Sequence, residues 1–154
     1  MFTNLLNNSV DTVIGEIRYG SPSEKNENAS QRYALVVDDE PGIIYLCSTL
    51  LIRAGYSVES AENGRGAMEK IAEHKPDVVF LDLMMPVMDG FEVCERLKKN
   101  PETSDIIIAI ISALDGELDV AYAKSLGANF YFPKPFYPKQ FLNEILPQVE
   151  TVLK

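Results

Sequence analysis

Between Tyr33 and the end of the chain, short apolar runs alternate five times with longer segments of helical periodicity. The runs are rich in β-branched and aromatic residues, which is typical of strands that are buried on both faces. This pattern predicts strands at about 33–37, 56–60, 77–81, 106–111 and 129–132, and helices at about 41–54, 63–74, 89–98, 115–126 and 137–152. Five alternating units indicate an α/β fold, with a doubly wound parallel sheet covered by helices on both faces. Periodicity does not reveal the strand order.

Cap and turn residues support several of these limits. Gly55 and Gly127 follow predicted helices and should end them in the left-handed conformation. Asn63 should cap the second helix. Pro147 falls inside the last predicted helix, where it removes a hydrogen bond and clashes with the preceding turn. We therefore expect this helix to kink near residues 143–146, or to restart with Pro147 in its first turn.

Residues 1–32 differ in character from the rest of the chain. We predict an N-terminal extension and polar linker at 1–32, and one folded domain at 33–154. The stretch "YGSPSEKNENASQR" has the composition of a linker. Before it, apolar residues recur at three- and four-residue spacing, which is compatible with a short helix. Two alternatives stay open for that helix, a frayed tail and a partner-binding element.

Composition restricts the classes of protein to which the chain can belong. Its 154 residues suffice for one domain with a substantial core. A formal charge of -9 argues against direct nucleic-acid binding, which needs a basic face. No apolar stretch has the length of a membrane span or the form of a secretory signal, so we expect no membrane association and a cytoplasmic location. Cys47 and Cys94 lack metal-ligand spacing and are expected to be buried free thiols.

Chemically active side chains follow four of the five predicted strands. Asp82 follows the third strand and Ser112 ends the fourth, whereas Lys134 follows the fifth. After the first strand come three acids, which are Asp38, Asp39 and Glu40. The carboxyl ends of parallel strands lie along one edge of a sheet, where ligands bind. The arrangement indicates a metal-assisted phosphoryl site with Asp82 as the nucleophile.

The three consecutive acids suggest a cation site. Clustered carboxylates repel one another in a low dielectric unless a cation is bound between them. Oxygen ligands with room left for phosphate favour Mg²⁺. The plainer alternative is a solvated acidic loop at the start of a helix, where negative charge suits the helix dipole.

Asp82 has the surroundings expected of a phosphoryl acceptor. It lies between the apolar segments "VVFL" and "LMMP". A carboxylate can attack phosphorus to form an acyl phosphate. Lys134 would supply positive charge to the transferred group, and the hydroxyl of Ser112 could bond a phosphoryl oxygen.

Residues 33–146 resemble the receiver domain of two-component response regulators. The resemblance rests on "LVVDDEP", "FLDLMMPVMDGFEVCERLK", "IIIAIISAL" and "GANFYFPKPF". It implies a flavodoxin-like sheet with strand order 2-1-3-4-5. It makes Asp82 the phosphoacceptor and Mg²⁺ the cofactor, held by Asp38, Asp39, Asp82 and the main-chain carbonyl of Met84.

The same resemblance assigns roles to several other residues. Ser112 and Lys134 occupy the switch hydroxyl and phosphoryl-binding positions, and the Lys134–Pro135 bond is expected to be cis. Tyr131 matches the switch aromatic, although plain packing would also account for it. Met84 and Leu114 occupy positions that tune acyl phosphate hydrolysis in similar proteins, and both are apolar here.

The resemblance also implies partners. These are a histidine kinase or phosphotransfer protein, a downstream protein target, and a second copy of the chain through the face formed by the fourth helix, fifth strand and fifth helix. The chain is expected to be a stand-alone receiver and not an enzyme.

Other hypotheses remain: a phosphorelay intermediate, a degenerate docking module and, less favoured, an aspartyl-nucleophile phosphatase similar to haloacid-dehalogenase hydrolases. That last family carries a second Asp two residues after the nucleophile, where this chain has Met84. A flavin-binding module would need a glycine- and hydroxyl-rich loop in place of "DDEPG".

Overall fold

The computed structural model describes residues 30–153. Five parallel strands form one sheet in the order β2-β1-β3-β4-β5, which confirms the predicted architecture. The strands are β1 (Tyr33–Val37), β2 (Ser57–Ala61), β3 (Val78–Leu81), β4 (Ile107–Ser112) and β5 (Phe130–Pro133). The predicted N-terminal helix and most of the predicted linker lie outside the described residues, so the proposed boundary at residue 32 stays a prediction.

Four regular helices and one interrupted helix connect and cover the strands. The regular ones are α1 (Pro41–Arg53), α2 (Gly64–Glu73), α3 (Gly90–Lys99) and α4 (Glu117–Ser125). The interrupted helix, called α5, has α geometry at Pro138–Gln140, π geometry at Phe141–Ile145 and α geometry again at Leu146–Glu150. Pro147 stands in the first turn of this last segment, where its missing N–H costs no hydrogen bond. The predicted restart is confirmed.

The cap predictions are also confirmed. The Asn63 side-chain oxygen accepts a hydrogen bond from the Gly66 N–H at 2.8 Å. Gly55 and Gly127 have φ values of 98° and 104°, a region that L-residues other than glycine rarely adopt.

Two apolar layers enclose the sheet. One joins α1 and α5 to the strands, with the fully buried Phe141 packed 5.5 Å from Phe80 between ring centroids. The other joins α2, α3 and α4 to the opposite face. In α4 only Ala123 is buried, so this helix is attached to the core less firmly than the others. The two layers hold the strands, and therefore their carboxyl ends, in a defined register.

Both cysteines are free and buried, as predicted. None of the helices within residues 30–153 combines the length and the apolar character that a membrane span requires.

Candidate functional site

The sheet ladder extends into the candidate site at the carboxyl edge. The Asp38 N–H donates to the Ala61 carbonyl at 3.1 Å, and the Asp82 N–H donates to the Val37 carbonyl at 2.9 Å. Both aspartates are therefore fixed by main-chain hydrogen bonds just beyond the strands. Their exposed fractions are 2% and 5%, so both carboxylates are removed from bulk water.

Lys134 brings the acids of two strands together. Its Nζ lies 2.7 Å from Asp38 Oδ2, 3.4 Å from Glu40 Oε1 and 3.6 Å from Asp82 Oδ2. The Lys134 N–H donates to the Ser112 carbonyl at 2.9 Å, which ties the lysine main chain to β4. The side chain is only 9% exposed. One ammonium group thus offsets the charge of two buried carboxylates.

The pKa values reflect this balance of burial and charge. Burial raises the pKa of Asp38 above its ordinary value, against the opposing hydrogen bond from Lys134. Burial also raises the pKa of Asp82, and the charge of Asp38 raises it further. For Lys134, burial lowers the pKa, but bonding to Asp38 and the charge of both aspartates outweigh burial and raise it. The site therefore favours an ammonium ion and resists a further negative charge.

The acids after β1 have the donor set of a hard cation site. Carboxylate oxygens of Asp38, Asp39 and Glu40 lie within 4.8 Å of one another. Asp38 Oδ1 also accepts the Glu40 N–H at 2.9 Å, whereas Asp39 and Glu40 are exposed. Oxygen donors of this kind fit Mg²⁺, which keeps several waters. This cluster of three acids includes Glu40, which is not one of the four predicted metal ligands. Asp82, which is one of them, lies outside the cluster and is linked to it through Lys134.

Ser112 and Tyr131 meet at the loop that follows β4. Ser112 is fully buried, and its Oγ accepts the Leu114 N–H at 3.2 Å. The Tyr131 hydroxyl donates to the Leu114 carbonyl. Burial raises the pKa of Tyr131, and a hydrogen bond with Ser112 opposes this. The hydroxyl, the aromatic ring and the loop thus form one connected unit.

The Lys134–Pro135 peptide bond is cis, as the resemblance implied.

Met84 lies beside Asp82 and is 58% exposed. The Met84 N–H donates to Asp82 Oδ1 in a long hydrogen bond of 3.4 Å. All the predicted site residues therefore lie along one edge of the sheet.

Two glycines and a strained valine shape the loop between Asp82 and α3, and sequence reasoning missed Gly64 and Val87 among them. Gly90 packs so closely that an added Cβ would stand 2.1 Å from the Asp82 carbonyl oxygen. Gly64 makes a similar contact with Met88, and Val87 has a φ of 71°. For Gly90, the "DG" pair was a visible turn signal. Gly64 and Val87 carry no sequence signal for contacts made across the fold.

Comparisons with known proteins agree with this geometry. The family model described as response regulator receiver domain matches residues 34–146. The probable transcriptional regulator ycf27 of Cyanidium caldarium is 38% identical over 131 residues, 83% of this chain and 51% of that protein. The chain spans about half the length of several curated relatives of this kind.

Shorter relatives are matched over most of their length. Protein PilH of Pseudomonas aeruginosa is 37% identical over 111 residues, 72% of this chain and 92% of that protein. The solved chemotaxis response regulator CheY4 of Vibrio cholerae is 32% identical with a TM-score of 0.73, over 78% of this chain and 99% of that chain.

Proposed function

The chain belongs to the response regulator receiver family, and on that premise we propose that it accepts a phosphoryl group on Asp82 and transmits the signal through a change in its surface. The observation that carries the proposal is the position of Lys134 Nζ, 2.7 Å from Asp38 and 3.6 Å from Asp82. Three strands of the sheet thereby bring a nucleophile, a cation and an acidic metal-ligand candidate to one point.

The donor would be a histidine kinase or a phosphotransfer protein that carries a phosphohistidine. A carboxylate oxygen of Asp82 attacks the phosphorus, the P–N bond breaks, and the imidazole leaves with the electron pair and takes up a proton. The product is an acyl phosphate, so the chain is a phosphoacceptor and not an enzyme that turns over a substrate.

Asp38, Asp39, Asp82 and the carbonyl of Met84 would hold Mg²⁺, as the resemblance implies. When bound, the ion neutralises charge that develops on the transferred group. Lys134 would bind a phosphoryl oxygen as a point charge, since its ammonium already lies close to both Asp38 and Asp82. Ser112 would donate a hydrogen bond from its hydroxyl to a further phosphoryl oxygen. Its Oγ would continue to accept the hydrogen bond from the Leu114 N–H.

The signal would leave through the face formed by α4, β5 and α5. Ser112, Leu114 and Tyr131 form a hydrogen-bonded unit between Asp82 and this face. The face carries exposed apolar and aromatic side chains, namely Leu118 at 87%, Tyr122 at 51% and Tyr137 at 79%. Exposed side chains of this kind suit a protein partner or a second copy of the chain. Phosphorylation would shift an equilibrium between two arrangements of α4 and its loop.

We place this exchange in the cytoplasm because the two thiols are free and buried, which suits a reducing compartment. Burial raises the pKa of Cys47 to about 12, so its thiol stays protonated.

The decisive experiment is phosphorylation with acetyl phosphate or a phosphorylated kinase, read as acid-stable and base-labile phosphate. The parent should be labelled in Mg²⁺ and not in excess chelator. Asp82→Asn should not be labelled. Asp105→Asn is the matched control, since Asp105 is an exposed aspartate next to the amino end of β4, and it should be labelled like the parent. Undiminished labelling of Asp82→Asn, or labelling without a divalent ion, would reject the proposal.

A further inference from the structure

Val87 lies at the centre of a strained turn in the loop that follows Asp82. The Met88 N–H donates to the Pro86 carbonyl at 2.8 Å, which closes a three-residue γ-turn. Val87 has a φ of 71° and is 76% exposed. A positive φ is costly for an L-residue, and above all for a β-branched one. Such a conformation persists only where surrounding contacts hold it.

The first contact comes from the start of α2. The Gly64 N–H donates to the Met88 carbonyl at 3.2 Å. Gly64 is the first residue of α2, so its N–H has no partner within the helix and is free to bond the loop. An added Cβ would stand 2.5 Å from the Met88 carbonyl oxygen and 2.7 Å from Val93 Cγ2. Only glycine lets the helix terminus approach this closely.

The terminus itself is held firmly. The Asn63 side chain caps α2 through the Gly66 N–H. One and two turns further along α2, Ala67 and Ile71 are buried against the sheet at 0% and 5% exposure. The Gly64 N–H is therefore a fixed point to which the loop attaches.

The second contact lies at the other end of the turn. The Gly90 N–H donates to the Leu83 carbonyl at 3.0 Å, and Gly90 packs against the Asp82 main chain. The bond between Gly90 and Leu83 thus closes a loop of residues 84–89, and the Gly64 bond holds Met88 within that loop. Met84, the proposed carbonyl ligand of Mg²⁺, begins this stretch.

We propose that Gly64 is a positioning residue of the phosphoacceptor loop: its contact with Met88 holds the strained turn at Val87 and so sets the main chain of Met84 beside Asp82. The inference rests on the proposed function and extends it to a residue on another helix that does not contact the reacting groups. It also accounts for a strained, exposed valine in a loop that binding requires to be rigid.

The test compares Gly64→Ala with Gly66→Ala. Gly66 lies in the same helical turn, but an added Cβ there meets nothing closer than 3.5 Å. We expect Gly64→Ala, without any metal, to shift the amide resonances of residues 84–90. Its affinity for Mg²⁺, measured by amide-shift titration, should fall roughly tenfold or more, the usual effect of removing a supporting contact. Gly66→Ala should match the parent in both measurements.

Two further variants separate positioning from packing. Val93→Ala in the Gly64→Ala background relieves the contact with Val93 Cγ2 but leaves the one with the Met88 carbonyl. Mg²⁺ affinity should stay low in this double variant, and its recovery would overturn the proposal. If Gly64→Ala does not fold, Asn63→Ala decides, because it loosens the start of α2 without adding an atom.

Asn63→Ala should move the Met88 amide and weaken Mg²⁺ binding by a smaller factor. The inference would be overturned if Gly64→Ala had the amide shifts and Mg²⁺ affinity of the parent. The same result in Asn63→Ala would overturn it where that variant decides. Labelling of the parent would in either case still support the proposed function. A parent protein that neither binds Mg²⁺ nor becomes labelled would instead overturn the proposed function itself.

Discussion

The ammonium of Lys134 lies 2.7 Å from the carboxylate of Asp38 and 3.6 Å from that of Asp82. It therefore bonds mainly to the acid that follows β1 and only partly offsets the charge of the acid that follows β3. A cation that binds Asp38 competes with this ammonium for the same oxygens. We therefore expect metal binding at Asp38 to weaken its bond to Lys134 and to favour movement of the ammonium toward Asp82.

This arrangement predicts that Asp82→Asn stabilises the metal-free protein near neutral pH. Burial, followed by the charge of Asp38, raises the pKa of Asp82 in the folded state. The folded protein then binds more protons than the unfolded chain above about pH 4, so stability falls as the pH rises through the raised pKa. Removing the charge should raise the free energy of unfolding at about pH 7 by on the order of 1 kcal/mol.

Urea denaturation of parent and variant at about pH 7 and about pH 4 checks this expectation. The gain should shrink at the lower pH, because the raised pKa of Asp82 favours its protonated form there. Asp105→Asn serves as control and should not gain, because bonding to Lys75 lowers the pKa of Asp105. A gain that is equal at both pH values would contradict the electrostatic explanation.

The apolar side chains next to Asp82, the proposed phosphoacceptor, should slow loss of the phosphoryl group. Met84 and Leu114 flank the site, and neither can orient an attacking water. Met84→Asn combined with Leu114→Glu should shorten the lifetime of the acyl phosphate by roughly tenfold or more. The measurement is the decay of labelled protein after removal of the donor. Leu118→Glu, which changes an exposed leucine on α4, should leave the lifetime unchanged. Decay of the double variant at the parent rate would exclude the shielding hypothesis.

Activation should change the α4–β5–α5 face through Ser112 and Tyr131. Beryllofluoride with Mg²⁺ can stand in for the phosphoryl group on Asp82. We expect amide shifts near Asp82 and also across residues 115–140. In Ser112→Ala the shifts near Asp82 should persist while the distant ones shrink, because the link to the Leu114 loop is lost. Tyr137→Phe, altered at a 79% exposed ring, should respond like the parent. Shifts confined to the Asp82 pocket in the parent would count against a switched surface.

The strain at Val87 predicts that glycine is more stabilising than alanine at this position, the reverse of the usual order. In the interior of a helix or strand, alanine is more stabilising than glycine by about 0.5–1 kcal/mol. At a φ of 71° the penalty for any Cβ reverses this order. Val87→Gly should therefore exceed Val87→Ala in free energy of unfolding by about 1 kcal/mol. Both variants lose the two γ-methyl groups of an exposed side chain and differ only in Cβ, so the pair isolates the effect of Cβ on the backbone. Equal stabilities, or a more stable alanine variant, would show that the turn is unstrained.

The sequence was sufficient to predict which segments become strands and which residues follow them. β-branched and aromatic runs favour strands wherever they occur, and polar residues at their carboxyl ends must share one edge of a parallel sheet. Asp38, Asp82 and Lys134 could be grouped on this basis alone. The strand order came from the resemblance to a known family, since periodicity carries no information on which strands are neighbours.

Strand limits depended on pairing between distant segments. The second strand was predicted from residue 56, but the Tyr56 N–H donates to the Leu51 carbonyl at the end of α1. The strand instead runs from Ser57 to Ala61, because Ala61 pairs with Val37 in the register of β1. A hydrogen bond to a preceding helix and a register set by a neighbouring strand cannot be read from a local pattern.

The supporting contacts of the site were decided by tertiary structure. Glu40 reaches Lys134 from a position 94 residues away, and Gly64, at the start of α2, bonds Met88 in the loop before α3. Hydrophobic periodicity is a property of neighbours along the chain, and it determined the helices, the strands and the edge where Asp82 lies. Which atoms approach within 3 or 4 Å across that edge depends on how two apolar layers pack against one sheet, and only the folded chain defines that packing.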